Sequence, residues 1–320
     1  MSEGIQQTPR KTAVIMNPQS GNRRAERQWL DLEGPVREAC GDVTLFRTAE
    51  PGDATRLVRS ALRDGYDRII SAGGDGTHYE VVNGFFEKDS PINPEASIAI
   101  LPIGTASDFR KTLRLPKPAD SVVYLGGTTV YAMDVGKVTS TDEHGETMVR
   151  YFNTAVHIGL GGLVGEHVNR RSKALGGFMT FYVGVITALM AYTWPKMRVT
   201  VDGKVVKEGK MLEVIAANGE FDGGGMHVAP HARLDDGLLE MYAMGNIGRL
   251  GSFANSLRIY KGTHDQHEEV IYLRTPSVRV DSDERVIVSP DGELAGFLPA
   301  TVEIVPKAVR MVVGEGTPIG

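Results

Sequence analysis

Gly73-Gly74-Asp75-Gly76-Thr77 directly follows an apolar run, Arg68-Ile69-Ile70-Ser71-Ala72, and directly precedes a helix-like stretch from Thr77 to Phe86. A strand that turns into a helix through three glycines belongs in a sheet covered by helices, with the turn at the strand's carboxyl end. Without a Cβ, glycine lets the backbone come close to a ligand, and the N–H groups of a helix N-terminus favour anionic oxygens. Asp75 would repel a bare phosphate, so a role there needs a bound cation such as Mg²⁺ or a proton in transfer. An ordinary strand–turn–helix connection uses the same residues for turn geometry, and the segment alone leaves both readings open.

The neighbouring sequence repeats the pattern. Thr12 to Met16, Val43 to Phe46, Arg68 to Ala72 and Ser97 to Leu101 read as strands. Arg23 to Ala39, Asp53 to Asp64 and the stretch from Thr77 read as helices between them. This order predicts an α/β domain with a parallel sheet and ligands at the strands' carboxyl ends. From about Tyr131 short strands follow in hairpin-like pairs. Asp202-Gly203 marks a two-residue turn between Val199-Thr200-Val201 and Lys204-Val205-Val206. Met211 to Ala217, Leu238 to Ala243, Glu269 to Leu273, Ser277 to Val280, Val286 to Ser289 and Thr301 to Val305 continue the series. A chain of 320 residues exceeds the size at which one core stops growing. The expected organisation is a nucleotide-binding α/β domain over 9–134 and a mainly antiparallel β-sandwich over 135–303. The last ~15–20 residues are free to pack back on the first domain.

A formal charge of -5 gives no broad electrostatic reason for nucleic-acid binding. The one cysteine, Cys40, has no internal disulfide partner, and no charged-then-apolar leader opens the sequence. Both fit a cytoplasmic setting. Leu175 to Trp194 carries no charge and is long enough to span a membrane, but small residues recur on it at helical spacing. A buried or cleft-lining helix is the reading adopted, and a greasy helix beside a phosphate site suits a lipid substrate. His264-Asp265-Gln266-His267-Glu268-Glu269 reads as a solvated polar loop rather than a metal site. There is no G-x-x-x-x-G-K-[ST] loop.

Further segments sit where the sheet pattern breaks. Asn17-Pro18-Gln19-Ser20-Gly21 and Pro102-Ile103-Gly104-Thr105-Ala106-Ser107-Asp108-Phe109 end the first and fourth strands. Each offers hydrogen-bond donors to a phosphate or serves as a helix cap. Met133-Asp134-Val135-Gly136 lies near the domain change, and Asp291-Gly292-Glu293 near the end.

Together these motifs resemble the diacylglycerol kinase catalytic family, which includes sphingosine kinases and the bacterial soluble lipid kinases. The resemblance runs from about Lys11 to Val313. It covers the N-P-x-S-G strand end, G-G-D-G-T with Glu80-Val81-Val82-Asn83-Gly84, G-T-x-x-D-F, and Asp222-Gly223-Gly224-Gly225-Met226. It continues through Ala229 to Leu239, containing Asp235-Asp236-Gly237, to Asp291-Gly292-Glu293. It implies a two-domain lipid kinase using ATP and Mg²⁺ between its domains. Asn17, Ser20, Gly21, Gly73, Gly74, Gly76, Thr77, Gly104 and Thr105 would bind nucleotide. Asp75 would act in the metal and water network, joined by Asp108 and Glu293, and Glu293 or Asp134 would be the base. A structural cation would sit on the Asp236 carboxylate with the carbonyls of Arg233 and Leu238.

The implied acceptor is a hydroxyl of a diacylglycerol-like lipid at a membrane surface. Contact would be peripheral, through Arg170, Arg171 and Lys173 with the apolar helix, and a homo-oligomer is compatible with the sequence. Gly159 to Gly165 contains no acid where sphingosine kinases place one, which points away from a sphingoid base. Ser107 stands where many relatives have Asn, and Tyr79 where Asn is frequent. The alternatives are an NAD kinase-like phosphotransferase, which shares G-G-D-G-T, and a non-catalytic lipid-binding module.

Overall fold

The computed structural model describes residues 11–104, 107–170 and 187–314. Contacts divide the chain into two units. The described residues of the first are 11–104, 116–131 and 309–314; those of the second are 107–115, 132–170 and 187–308.

In the first unit β1 (Thr12–Met16), β2 (Val43–Arg47), β3 (Arg68–Ala72) and β4 (Ser97–Leu101) pair all-parallel in the order β2-β1-β3-β4. Every residue of β1, β3 and β4 is buried, which is why these runs show no polar alternation. The helices are α1 (Ala25–Cys40), α2 (Asp53–Arg63), α3 (Asp75–Phe85) and α4 (Pro118–Leu125). One sheet face, through Val14, Met16, Ile70, Ala72 and Ala99, packs with Trp29 and Val36 of α1 and Val122 of α4. Buried Arg68 donates to the carbonyls of Leu125 and Gly127, both at 2.7 Å, at the C-terminus of α4, where a cation is favoured. Arg310 and Met311 return to pair in parallel with Ser97 and Ile98. The strand order reverses between β1 and β3, which puts the Asn17–Gly21 and Gly73–Thr77 loops at a topological switch point.

The second unit is mainly antiparallel. Its strands are β5 (Val130–Thr141), which begins in the first unit, β6 (Thr147–Phe152), β7 (Ala155–Gly159), β8 (Lys196–Val201), β9 (Lys204–Ala217), β10 (Leu239–Gly245), β11 (Val270–Thr275), β12 (Ser277–Asp281), β13 (Val288–Pro290) and β14 (Phe297–Val312), whose last residues belong to the first. The two short strands read around Val205 and Val214 are one strand, because Lys207–Lys210 continues the ladder with β8 despite its polarity. The first half of β9 pairs with β8 and the second half with β10 and β7, so one strand serves two sheets. Their inner faces enclose Phe152, Val214, Met241, Val280 and Val288. The other face of the β7–β9–β10 sheet is covered by α5 (Leu160–Arg170), α6 (Gly248–Lys261) and the segment around Leu189 and Tyr192.

Residues 175–186 of the apolar segment lie outside the described residues, while Ala188, Leu189 and Tyr192 are buried. Among the described residues no helix is long and apolar enough to cross a membrane. His264 corrects the solvated-loop expectation: it is fully buried with its ring 4.6 Å from that of Tyr242, and burial holds its pKa below the ordinary value.

Candidate active site

Three glycine loops of the first unit meet at the carboxyl ends of β1, β3 and β4. Asn17 N–H donates to the Ala72 carbonyl at 3.1 Å and Gly73 N–H to the Leu101 carbonyl at 3.2 Å. A Cβ on Gly104 would overlap the Gly74 backbone, one on Gly73 would overlap Thr77, and one on Gly21 would stand 3.0 Å from the Ile103 carbonyl oxygen. Gly21 also has φ 61, a conformation glycine adopts without strain. The backbones therefore approach more closely than side chains would allow. The N-terminus of α3, with Asp75 in its first turn, opens from these loops. Asn17, Ser20, Gly21, Gly73, Gly74, Gly76, Thr77 and Gly104 all belong to this cluster; Thr105 lies outside the described residues.

Just beyond the loop the motif is structural. His78 is buried with Nδ1 2.7 Å from Ser71 Oγ, and burial pushes its pKa down to about 3, so a neutral ring ties α3 to β3. Glu80 accepts from the N–H groups of Gly52 at 2.9 Å and Ala54 at 3.0 Å, capping α2. A Cβ on Gly84 would stand 2.6 Å from Val58, so α3 packs tightly on α2 there.

The second unit holds the other acids. Asp108 pairs with Lys111 at 2.7 Å and accepts from the N–H groups of Gly224 at 2.6 Å and Gly225 at 3.2 Å. Gly223, Gly224 and Gly225 all have positive φ, so successive N–H groups form a nest that holds an anion, here Asp108 itself. Asp134 is completely buried, and its two oxygens accept from Gly237 N–H and Lys307 N–H, both at 2.7 Å. Asp291 accepts from the backbone of Asn153, Thr154 and Ala155 and from Thr154 Oγ1 at 2.6 Å. Burial and the nearby Asp222 nevertheless push its pKa up to about 6. Asp291 thus clamps the turn that presents Glu293, which is half-buried.

Asp236 of Asp235-Asp236-Gly237, expected to hold a structural cation with the carbonyls of Arg233 and Leu238, has partners of its own. Asp236 is bonded to the Arg274 guanidinium and accepts from Leu238 N–H at 3.1 Å; Arg274 also donates to Glu240 at 2.8 Å. Among the described residues no group of three or more His, Cys, Asp or Glu side chains is placed to hold one.

Between α5, β9 and α6 lies an apolar pocket of about 150 Å³, lined by residues including Leu160, Val164, Leu189, Ile215 and Phe253. Its polar lining includes His157, Glu213 and Asp222, and Gly292, beside Glu293, closes one side. Sequence reading missed His157 and Glu213. The available signal was a titratable residue at a core-facing position of an apolar strand, in Val156-His157-Ile158 and Leu212-Glu213-Val214.

The diacylglycerol kinase catalytic domain model matches residues 11–138, and the YegS C-terminal NAD kinase beta sandwich-like domain model matches 154–313. A diacylglycerol kinase of Staphylococcus carnosus (strain TM300) is 31% identical over 300 residues, 91% of each chain. The chain belongs to the diacylglycerol kinase family. A diacylglycerol kinase of Staphylococcus aureus (strain MRSA252) is 28% identical over 91% of this chain and 88% of its own. A solved structure from Bacillus anthracis str. Sterne, described as a candidate diacylglycerol kinase, superposes with TM-score 0.76 at 26% identity, covering 96% of this family member and 98% of that chain. Yeast NADH kinase, solved with NADH, shares the fold at 12% identity and TM-score 0.52, over 98% of this chain and 86% of its own. The parallel first sheet and antiparallel sandwich are the architecture of the diacylglycerol kinase family.

Proposed function

We propose that this chain transfers the γ-phosphoryl group of ATP to a hydroxyl of a diacylglycerol-like lipid. The observation that carries the reading is the apolar pocket bordered by Gly292, one residue from Glu293, in a chain of this family. ATP is held by the glycine loops, whose backbone N–H groups and the α3 N-terminus suit polyphosphate oxygens. Asp75, in the first turn of α3, would order water around a Mg²⁺ held with the nucleotide, and that ion would offset charge on the transferring oxygens. Glu293 takes the proton from the attacking lipid hydroxyl. Asp134 is the weaker candidate base, since backbone amides hold both its oxygens inside the core. The enzyme works from the cytoplasm at a membrane surface, as a peripheral protein.

The test is transfer of labelled γ-phosphate from ATP to diacylglycerol, monoacylglycerol, ceramide, sphingosine and NAD, by the wild type and by Glu293→Gln. Labelled diacylglycerol that disappears in the variant supports the reading. Labelled NAD alone transfers the case to an NAD kinase, and ATP binding without any labelled product transfers it to a lipid-binding module.

A further inference from the structure

The apolar pocket of the second unit has a charged floor. His157 stands between two carboxylates, with Glu213 2.7 Å from Nδ1 and Asp222 2.9 Å from Nε2. Only a doubly protonated imidazole donates to both. Burial disfavours that charge, but Glu213 and Asp222 together outweigh it and push the His157 pKa up to about 10. Glu213 also accepts from Gly161 N–H at 3.2 Å, and Asp222 from Gly223 N–H at 2.7 Å.

Strand geometry assembles this array. Alternation on β7 turns Ala155 and His157 toward the helix-covered face, and alternation on β9 turns Ile215 and Ala217 the same way. The register pairs His157 with Ile215 and Gly159 with Glu213, so the imidazole and the acid are diagonal neighbours. Burying three ionisable groups costs several kcal/mol per ion, and apolar side chains would serve the fold as well. Such an array, opening into a cavity, has the character of a binding site. Two carboxylates and one imidazolium sum to one negative charge. No lysine or arginine stands among the described residues lining the pocket. The volume, about 150 Å³, admits a group on the order of benzene in size, which is the root of a lipid rather than a whole acyl chain.

We propose that the Glu213–His157–Asp222 array selects the acceptor lipid by its polar end, admitting headgroups that donate hydrogen bonds and refusing those with a negative charge. This rests on the lipid kinase reading and deepens it. A hydroxyl or an ammonium donates to a carboxylate oxygen of the floor. A phosphodiester brings a second negative charge into a poorly screened site. Glu213 and Asp222 determine specificity, and His157 is a positioning residue that keeps the two acids together.

The test is calorimetric binding to the full-length chain, without nucleotide, of three short-chain soluble probes: dihexanoylglycerol, a six-carbon sphingoid base and dihexanoyl phosphatidylglycerol. The wild type is expected to bind the anionic probe at least about tenfold more weakly than the better of the other two. The glyceride and amine arms tell which donor is preferred. Asp222→Asn and, as a second variant should that one fail to fold, Glu213→Gln are expected to narrow the gap about tenfold. Equal binding of all three probes by the wild type, no binding of any, or an unchanged gap in the folded variants overturns the selector. Labelled phosphoryl transfer on the same samples separates the two claims. Transfer to diacylglycerol with an unchanged gap leaves the kinase reading standing, whereas a narrowed gap without transfer to any lipid overturns the kinase reading instead.

Discussion

Gly104 lies against Gly74 so closely that a Cβ at position 104 would overlap the Gly74 Cα. The turn after β4 thereby fixes the turn after β3, which carries the amides proposed to meet the nucleotide. Gly104→Ala must push the Gly74 backbone out of place. The expected result is ATP binding weakened about tenfold or more, roughly 1.4 kcal/mol, with the fold retained. Titration of ATP against the variant checks it, and an unchanged Kd would remove this loop from the nucleotide site.

Asp134 and Glu293 separate by what each substitution damages. Asp134 is fully buried and satisfies two backbone amides, and an amide side chain has one acceptor oxygen for those two donors. Asp134→Asn is expected to cost about 2 kcal/mol of stability. Glu293→Gln should leave the melting temperature in place and lower kcat about a hundredfold or more. Thermal melts beside single-turnover kinetics decide, and the reverse pattern would exchange the two roles.

Two buried histidines give stability opposite pH slopes. The folded pKa of His78 is depressed, from 6.5 to about 3, so between those values the unfolded chain binds a proton that the folded chain does not. Stability therefore falls as pH drops through that window. The folded pKa of His157 is raised, from 6.5 to about 10, so its contribution is full below 6.5 and is lost as pH rises through 10. His78→Asn should flatten the acid limb of a plot of Tm against pH, and His157→Gln the alkaline limb. Limbs unchanged by the substitutions would mean that other groups set them.

Arg274 holds Asp236 and the buried Glu240 together. Arg274→Ala leaves Glu240, 1% exposed, without its guanidinium and should cost about 2 kcal/mol. Adding Glu240→Gln should recover part of that by removing the stranded charge. Denaturant midpoints measure both steps. Chelation of divalent ions should leave the wild-type midpoint unchanged, and a large fall on chelation would mean that a metal, not Arg274, holds the turn.

The parallel strands of the first unit were legible residue by residue. A strand buried on both faces is a short unbroken apolar run, and Arg68 to Ala72 and Ser97 to Leu101 stop where glycine or proline begins. The glycine loops proposed to meet the nucleotide were legible for a related reason, since close backbone approach demands glycine and little else satisfies it. In the second unit the long β9 was hidden because Lys207 to Lys210 is polar on an exposed stretch. α6 was hidden as well, its sequence being only weakly amphipathic.

Local chemistry thus settled the fold class, the family and the loops, because strand periodicity and glycine geometry act over a few residues. The partners of the acids came only from the tertiary structure. Asp108 meets Gly224, Asp134 meets Lys307, Asp236 meets Arg274, and His157 joins Glu213 to Asp222. In one dimension an acid beside a glycine is a turn, a ligand or a base alike. Which of these it becomes depends on donors brought from distant positions in the chain, and on how much water the packing around them leaves.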